Sequence, residues 1–212
     1  MKVILVRHGE TQWNIDGRYQ GQEDTLLSQR GLRQGYLLAE GLRHIPIDIC
    51  ISSPLKRSLK TCKLCAELHQ LSVSIDDRLL EINHGSWEGQ LAQDIQKQYP
   101  KEFSLWHSQP HLVKMPNGGE SLEDVRQRVR AAFNDYTVKY PEKTILVAAH
   151  DAVNKTIICD ILGLGMEHFW QIKQDNTCIN VLEYKDNCWR IVLLNSTNHL
   201  GFLFSGIEQA GL

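Results

Sequence analysis

Between residues 2 and 194, short apolar and β-branched runs alternate with stretches of helical periodicity. This alternation is the feature that most constrains the fold. The runs lie at 2–6, 47–52, 144–149, 177–184 and 188–194, with a weaker one at 73–76. Between them, Leu32, Tyr36, Ala39 and Leu42 make one helical face, and Leu55, Leu59, Cys62 and Ala66 make another. A third helix is expected from Ser121, with Asp124 three residues on as a capping box. Its apolar face is Val125, Val129, Ala132, Phe133 and Tyr136. A fourth runs from His150 through Val153, Ile157, Ile158 and Ile161 and stops at Gly163. Strand–helix alternation of this kind predicts an α/β fold, a mostly parallel central sheet covered on both faces by helices. The polar, aromatic-rich stretch 83–120, with Pro100, Pro110 and Pro116, reads as a small lid insertion with one short helix.

At 212 residues the chain suits one domain, 1–212, and can bury a sizeable core without disulfides or metal. A formal charge of −2 lacks the basic excess that bulk nucleic-acid binding needs, so no nucleic-acid partner is expected. The N-terminal apolar stretch is too short for a signal peptide or a membrane span, which predicts a cytoplasmic protein without membrane attachment. Of six cysteines only Cys62 and Cys65 lie close together. They read as helix-face residues, with no second pair or suitably spaced histidine to make a metal site. Reduced thiols fit a cytosolic setting, in which the sequons at Asn154 and Asn195 carry no meaning.

The run Leu5-Val6-Arg7-His8-Gly9-Glu10-Thr11 puts a cation and an imidazole at the end of a buried-looking strand. Burying either costs free energy unless a partner compensates, and the natural partner is an anion. His8 is therefore a candidate nucleophile and Arg7 its charge clamp. In a parallel α/β sheet, ligands sit beyond the carboxyl ends of the strands. Ser52-Ser53-Pro54-Leu55-Lys56-Arg57 follows the second strand, with Ser53 as expected N-cap and Pro54 at the first helical position. Ala148-Ala149-His150 follows the run 144–149. Arg7, His8, Arg57 and His150 are thus expected to converge at one sheet edge. Each also has a structural explanation: a surface salt bridge for Arg57, a strand-end hydrogen bond for His150, a loop carboxylate for Glu81, and helix capping or packing for Asn14 and Trp13. Together those explanations would require four coincidences at one edge.

With these residues in place the chain resembles the histidine phosphatase superfamily, also called the phosphoglycerate mutase-like family. The resemblance runs from Val6-Arg7-His8-Gly9-Glu10-Thr11 with Asn14, through Ser52–Arg57 and Glu81 with Gly85-Ser86-Trp87-Glu88-Gly89, to Gly118-Gly119-Glu120-Ser121 and His150. It implies a three-layer α/β/α sandwich. It also implies a metal-independent phosphomonoesterase, with no cofactor, acting through a phosphohistidine on His8. Arg7, Arg57, Asn14 and His150 match the phosphate pocket of the family, and Glu81 matches its general acid. Candidate substrate-binding residues are Asn14, Thr11, Gln20, Gly21, His84 and His199. Two departures stand out. Ala149 stands where serine is frequent, and Asp151 follows the second histidine where a glycine or small residue is common; helix capping is the expected role of Asp151.

The short segment after Glu81 resembles phosphatases more than cofactor-dependent mutases. Glu81-Ile82-Asn83-His84-Gly85, Pro110-His111-Leu112-Val113 and Asn195-Ser196-Thr197-Asn198-His199-Leu200-Gly201 resemble metal-independent phosphoserine phosphatases. The expected partner is a small phosphorylated metabolite. L-Phosphoserine, a sugar phosphate, a ribazole-type nucleoside phosphate and 3-phosphoglycerate stay open, as do a mutase and a non-catalytic docking module. A homodimer through the late strands is a further expectation. The terminal residues Leu200, Phe202, Leu203 and Phe204 are expected to close the site or meet a partner subunit.

Overall fold

The computed structural model describes residues 1–203; the side chains of Phe202 and Leu203 and the whole of Phe204, for which site closure or a subunit contact is expected, lie outside the described residues. The elements run β1 (Lys2–Arg7), α1 (Gln12–Asp16), α2 (Gln29–Leu42), β2 (Ile49–Ser52), α3 (Lys56–Leu68) and β3 (Val73–Ile75). They continue with α4 (Ala92–Gln98), α5 (Pro100–Ser108), α6 (Leu122–Lys139), β4 (Thr144–Ala149), α7 (Asp151–Leu162), β5 (Ile179–Lys185) and β6 (Cys188–Ser196). The strand order is β3-β2-β4-β1-β5-β6. β1 to β4 are mutually parallel, whereas β5 and β6 add an antiparallel edge hairpin. Its turn is Asp186-Asn187, both at positive φ, the backbone twist that a two-residue hairpin needs.

Strand alternation sorts the core into two layers. Val3, Leu5, Ile145, Val147 and Ala149 point to the side packed by α6 and α7, while Ile4, Val6, Leu146 and Ala148 point to α2 and α3. The sheet is therefore the middle of an α/β/α sandwich. Cys62 and Cys65 sit on the buried face of α3, and all six cysteines are free. The capping box of Ser121 and Asp124 forms, and Gly163 ends α7 in the left-handed conformation.

Three expectations need correction. Tyr36 faces solvent, because α2 buries Gly31, Gln34, Gly35, Leu38, Ala39 and Leu42 instead. The glycines are the reason: a Cβ on Gly31 would lie 1.9 Å from the Glu10 carbonyl oxygen, so only glycine lets α2 approach the loop after β1. Residues 83–120 hold two α-helices, α4 and α5, rather than one, broken at Tyr99 with Pro100 at the first position of the second. Their Ile95 and Trp106 belong to the main core. Ser53 does not cap α3 and Pro54 is not its first residue, because the helix starts at Lys56 with Leu55 as N-cap and no side-chain bond.

Candidate active site

Because β1, β2 and β4 are parallel, their carboxyl ends point the same way, and β1 and β4 align Arg7 with Ala149. The residues just beyond form the site. The His8 amide donates to the Ala149 carbonyl at 3.1 Å, and the His8 carbonyl accepts from Asn176 Nδ2 at 3.0 Å. Its ring is fixed as well: Nδ1 lies 2.7 Å from the Gly9 carbonyl, which can only accept, so Nδ1 carries the hydrogen and Nε2 the lone pair. Burial first, then Arg57 and Arg7, hold the His8 pKa well below the usual histidine range. At neutral pH the imidazole is uncharged and nucleophilic.

Arg57, in the first turn of α3, is buried and donates from its two terminal nitrogens to the carbonyls of Glu23 and Gly21, each at 2.7 Å. Burial lowers its pKa to about 10, which leaves it cationic at neutral pH. Arg7 Nη1 donates to the Gln174 carbonyl at 2.5 Å. The Nε of each arginine is buried with no hydrogen-bond partner. Two guanidiniums held from behind with a free donor edge suit an oxyanion with several oxygens.

Glu81 precedes a short 3-10 turn at Gly85–Trp87. Its carbonyl accepts from Gln22 Nε2 at 3.0 Å and Arg128 Nη2 at 3.1 Å, while its carboxylate accepts from the Ile82 amide at 2.9 Å. Burial raises its pKa, and the nearby Asp151 carboxylate raises it further against the pull of Arg57 and Arg7. A pocket lined by Arg7, His8, Gln20, Gly21, Arg57, Glu81 and His84 joins these groups. Gly21 has φ +50°, and a Cβ there would overlap the Glu88 carboxylate, so the pocket wall requires glycine at this point.

The other expected residues are placed as follows. His150 is the N-cap residue of α7, its ring 5.2 Å from that of His8, with Nε2 2.8 Å from Ser53 Oγ. Asn14 and Thr11 form the capping box of α1. Thr11 is fully buried with its hydroxyl directed to Asn14 and Gln20, so it supports the pocket from behind instead of lining it. Asn14 retains a buried amide nitrogen without a partner. His199 is not at the pocket wall; it packs beside Gly41 of α2, with Nε2 3.4 Å from Thr177 Oγ1. Asp151 does not cap α7. It is the first helical residue, and its carboxylate pairs with Arg7 at 3.4 Å and Lys155 at 2.8 Å.

Sequence reasoning passed over Glu88, Asn176 and Lys155. Glu88 accepts from the amides of Gln22 at 2.9 Å and His84 at 3.0 Å, tying the two loops of the pocket wall together. Its place in Gly85-Ser86-Trp87-Glu88-Gly89 was the available signal. Among the described residues, no group of His, Cys, Asp and Glu is arranged to hold a metal ion, and no helix is long and apolar enough to cross a membrane.

The sequence profile of the histidine phosphatase superfamily (branch 1) matches residues 3–197. The chain belongs to that superfamily. Phosphoserine phosphatase 1 of Hydrogenobacter thermophilus is 39% identical over 210 residues, covering 99% of each chain. The adenosylcobalamin/alpha-ribazole phosphatase of Escherichia coli is 30% identical over 197 residues, covering 92% of this chain and 96% of its own. Among solved structures, a mutant phosphoserine phosphatase from Entamoeba histolytica in complex with phosphoserine superposes with a TM-score of 0.82 at 29% identity, over 94% of this chain and 98% of that one. This histidine phosphatase is a phosphoric monoester hydrolase.

Proposed function

We propose that the enzyme hydrolyses a small phosphomonoester, with L-phosphoserine the first candidate, through a phosphohistidine on His8. The observation that carries this reading is the Nδ1 contact of His8 with the Gly9 carbonyl, which leaves Nε2 as the lone-pair nitrogen in a pocket shared with two arginines and a protonatable carboxyl. Nε2 attacks phosphorus in line with the leaving oxygen, and Arg7 and Arg57 neutralise charge on the equatorial oxygens. As the P–O bond breaks, Glu81 gives its proton to the departing alkoxide. The resulting carboxylate then takes a proton from water, whose oxygen attacks phosphorus and breaks the P–N bond. Inorganic phosphate leaves, and His8 and Glu81 return to their starting states.

His84 supports the substrate assignment. It is buried, with edge contacts to Tyr19 at 4.8 Å and Trp106 at 5.9 Å, and its Nδ1 has no partner. Burial lowers its pKa to about 3, so at neutral pH it would recognise a substrate carboxylate as a neutral donor, not as a cation. Two relatives named as phosphoserine phosphatases point the same way. The test is a hydrolysis panel of L-phosphoserine, α-ribazole phosphate, sugar phosphates and 3-phosphoglycerate in EDTA, with acid-quenched trapping of labelled phosphoenzyme. A specificity constant highest for L-phosphoserine and label lost in His8→Ala are expected. Label retained in that variant defeats the nucleophile assignment, and a preference for another ester reassigns the substrate.

A further inference from the structure

Asp151 and Lys155 form a buried ion pair directly behind the pocket. Asp151 is 1% exposed and Lys155 3% exposed. Oδ1 of Asp151 is 3.4 Å from Arg7 Nη1, and Oδ2 is 2.8 Å from Lys155 Nζ one helical turn later. The ammonium lies over the rings of Phe169 at 4.9 Å and Trp170 at 4.5 Å, closed off by aromatic faces. Apolar side chains would fill such a place at no loss of stability, because desolvating two ions costs about as much as their attraction returns. The charges therefore call for a reason other than packing. That reason lies one residue away, where the Ala152 amide approaches Glu81 Oε2 at 3.4 Å and brings the start of α7 against the Glu81 carboxyl.

We propose that Asp151, paired with Arg7 and Lys155 at the start of the helix that abuts Glu81, is a positioning residue that favours proton donation by the Glu81 carboxyl and anchors the Arg7 guanidinium from behind. This rests on Glu81 being the donor to the leaving alcohol. The other groups around Glu81 divide cleanly. Arg7 and Arg57 favour its carboxylate, while His8 and His84 share the pocket as neutral rings. Arg128 of α6 holds its carbonyl and is itself paired with Glu120. Asp151 is the like charge that works with burial against the two arginines. Lys155 sets how strongly, by compensating Asp151 from the far side. The proton concerned passes from Glu81 to the leaving oxygen as the P–O bond breaks and the P–Nε2 bond forms.

The test compares pH profiles of kcat/KM for glycerol 2-phosphate, whose alkoxide needs a proton, and 4-nitrophenyl phosphate, whose phenolate does not. Asp151→Asn is expected to move the basic limb for the alkyl ester about one pH unit lower, roughly a tenfold loss on that limb. Its aryl rate should fall by one factor at every pH, reading Arg7 alone. Lys155→Met should move the alkyl limb the opposite way, a pair of outcomes that general structural damage does not produce. It also carries the test should Asp151→Asn fail to fold. Glu81→Gln is the reference and should abolish the alkyl rate selectively. Unmoved limbs in the folded Asp151 and Lys155 variants, beside a selective loss in Glu81→Gln, overturn this proposal and leave the donor assignment standing. An alkyl rate unchanged in Glu81→Gln overturns both.

Discussion

Ser53 Oγ and His150 Nε2 meet at 2.8 Å, although 97 positions separate them in the chain. The contact follows from sheet register. Ser52 of β2 lies opposite Ala148 of β4, so Ser53 and His150, one and two residues further along, leave the sheet at the same edge. The bond fixes the imidazole that lies 5.2 Å from His8. Ser53 does not cap α3 because it lies two residues before the N-cap Leu55, whose amide its Oγ accepts at 3.4 Å.

Removing that hydroxyl lets the His150 ring turn. A neutral buried hydrogen bond contributes about 1 kcal/mol, so Ser53→Ala is expected to lower kcat/KM about fivefold with the fold retained. Steady-state kinetics beside a circular dichroism melt check this. Wild-type kinetics would show that the ring is held by packing alone.

Glu88 joins two loops through one carboxylate, accepting from Gln22 and His84 amides. Glu88→Ala strands both donors and frees the wall that carries Gly21 and His84. The expected result is a KM raised about tenfold for the preferred ester, with kcat changed less, because phosphoryl transfer uses groups on other elements. Glu88→Gln keeps an acceptor and should recover most of the loss. A fall confined to kcat would contradict this division of labour.

Much of this architecture was legible because the strands are buried on one face or both and obey period-two alternation, as in Val3 to Val6. The convergence of Arg7, His8 and Arg57 on one pocket follows from the parallel order of β1, β2 and β4, which the alternating pattern implies, whereas Glu81, in the loop after β3, was legible only through the family resemblance. What escaped has physical causes. α2 packs through Gly31 and Gly35, which carry no apolar signal, so the periodicity pointed to Tyr36 instead. α4 and α5 hid behind Pro100, a residue that starts a helix as readily as it breaks one. Asp151 read as a cap because its partner Arg7 is distant in sequence and becomes its neighbour only when β1 pairs with β4.

Arg57 is held by two carbonyls, Glu23 and Gly21, which a lysine ammonium cannot engage in the same fork while still presenting a donor to the pocket. Arg57→Lys preserves charge and tests geometry alone. Turnover is expected to slow by roughly a hundredfold or more, on the order of what one preorganised donor contributes to transition-state stabilisation. Single-turnover phosphorylation of His8 measures it directly. Near-normal phosphorylation would mean that charge, without the fork, suffices.

Stability should fall in mild acid, and the histidines set the window. His8 and His150 have pKa values well below the ordinary 6.5, His84 is lowered to about 3 and His199 to about 4, in each case chiefly by burial. Each is lower folded than unfolded, so the unfolded chain takes up more protons once pH drops below about 6.5. The stability from keeping these rings neutral is complete above that value and is lost as pH falls toward the folded values, at up to about 1.4 kcal/mol per pH unit for each of the three fully buried rings and less for the part-exposed His199. Glu81 and Glu88 act in the opposite direction, since burial raises both and so favours the folded state at low pH, but two carboxyls do not offset four histidines. Urea midpoints should therefore hold steady from about pH 8 to 7 and drop steeply between about pH 6 and 4.5. The drop should be shallower in His84→Gln, which removes one titrating ring, and equal slopes in the two proteins would exclude His84 from the acid transition.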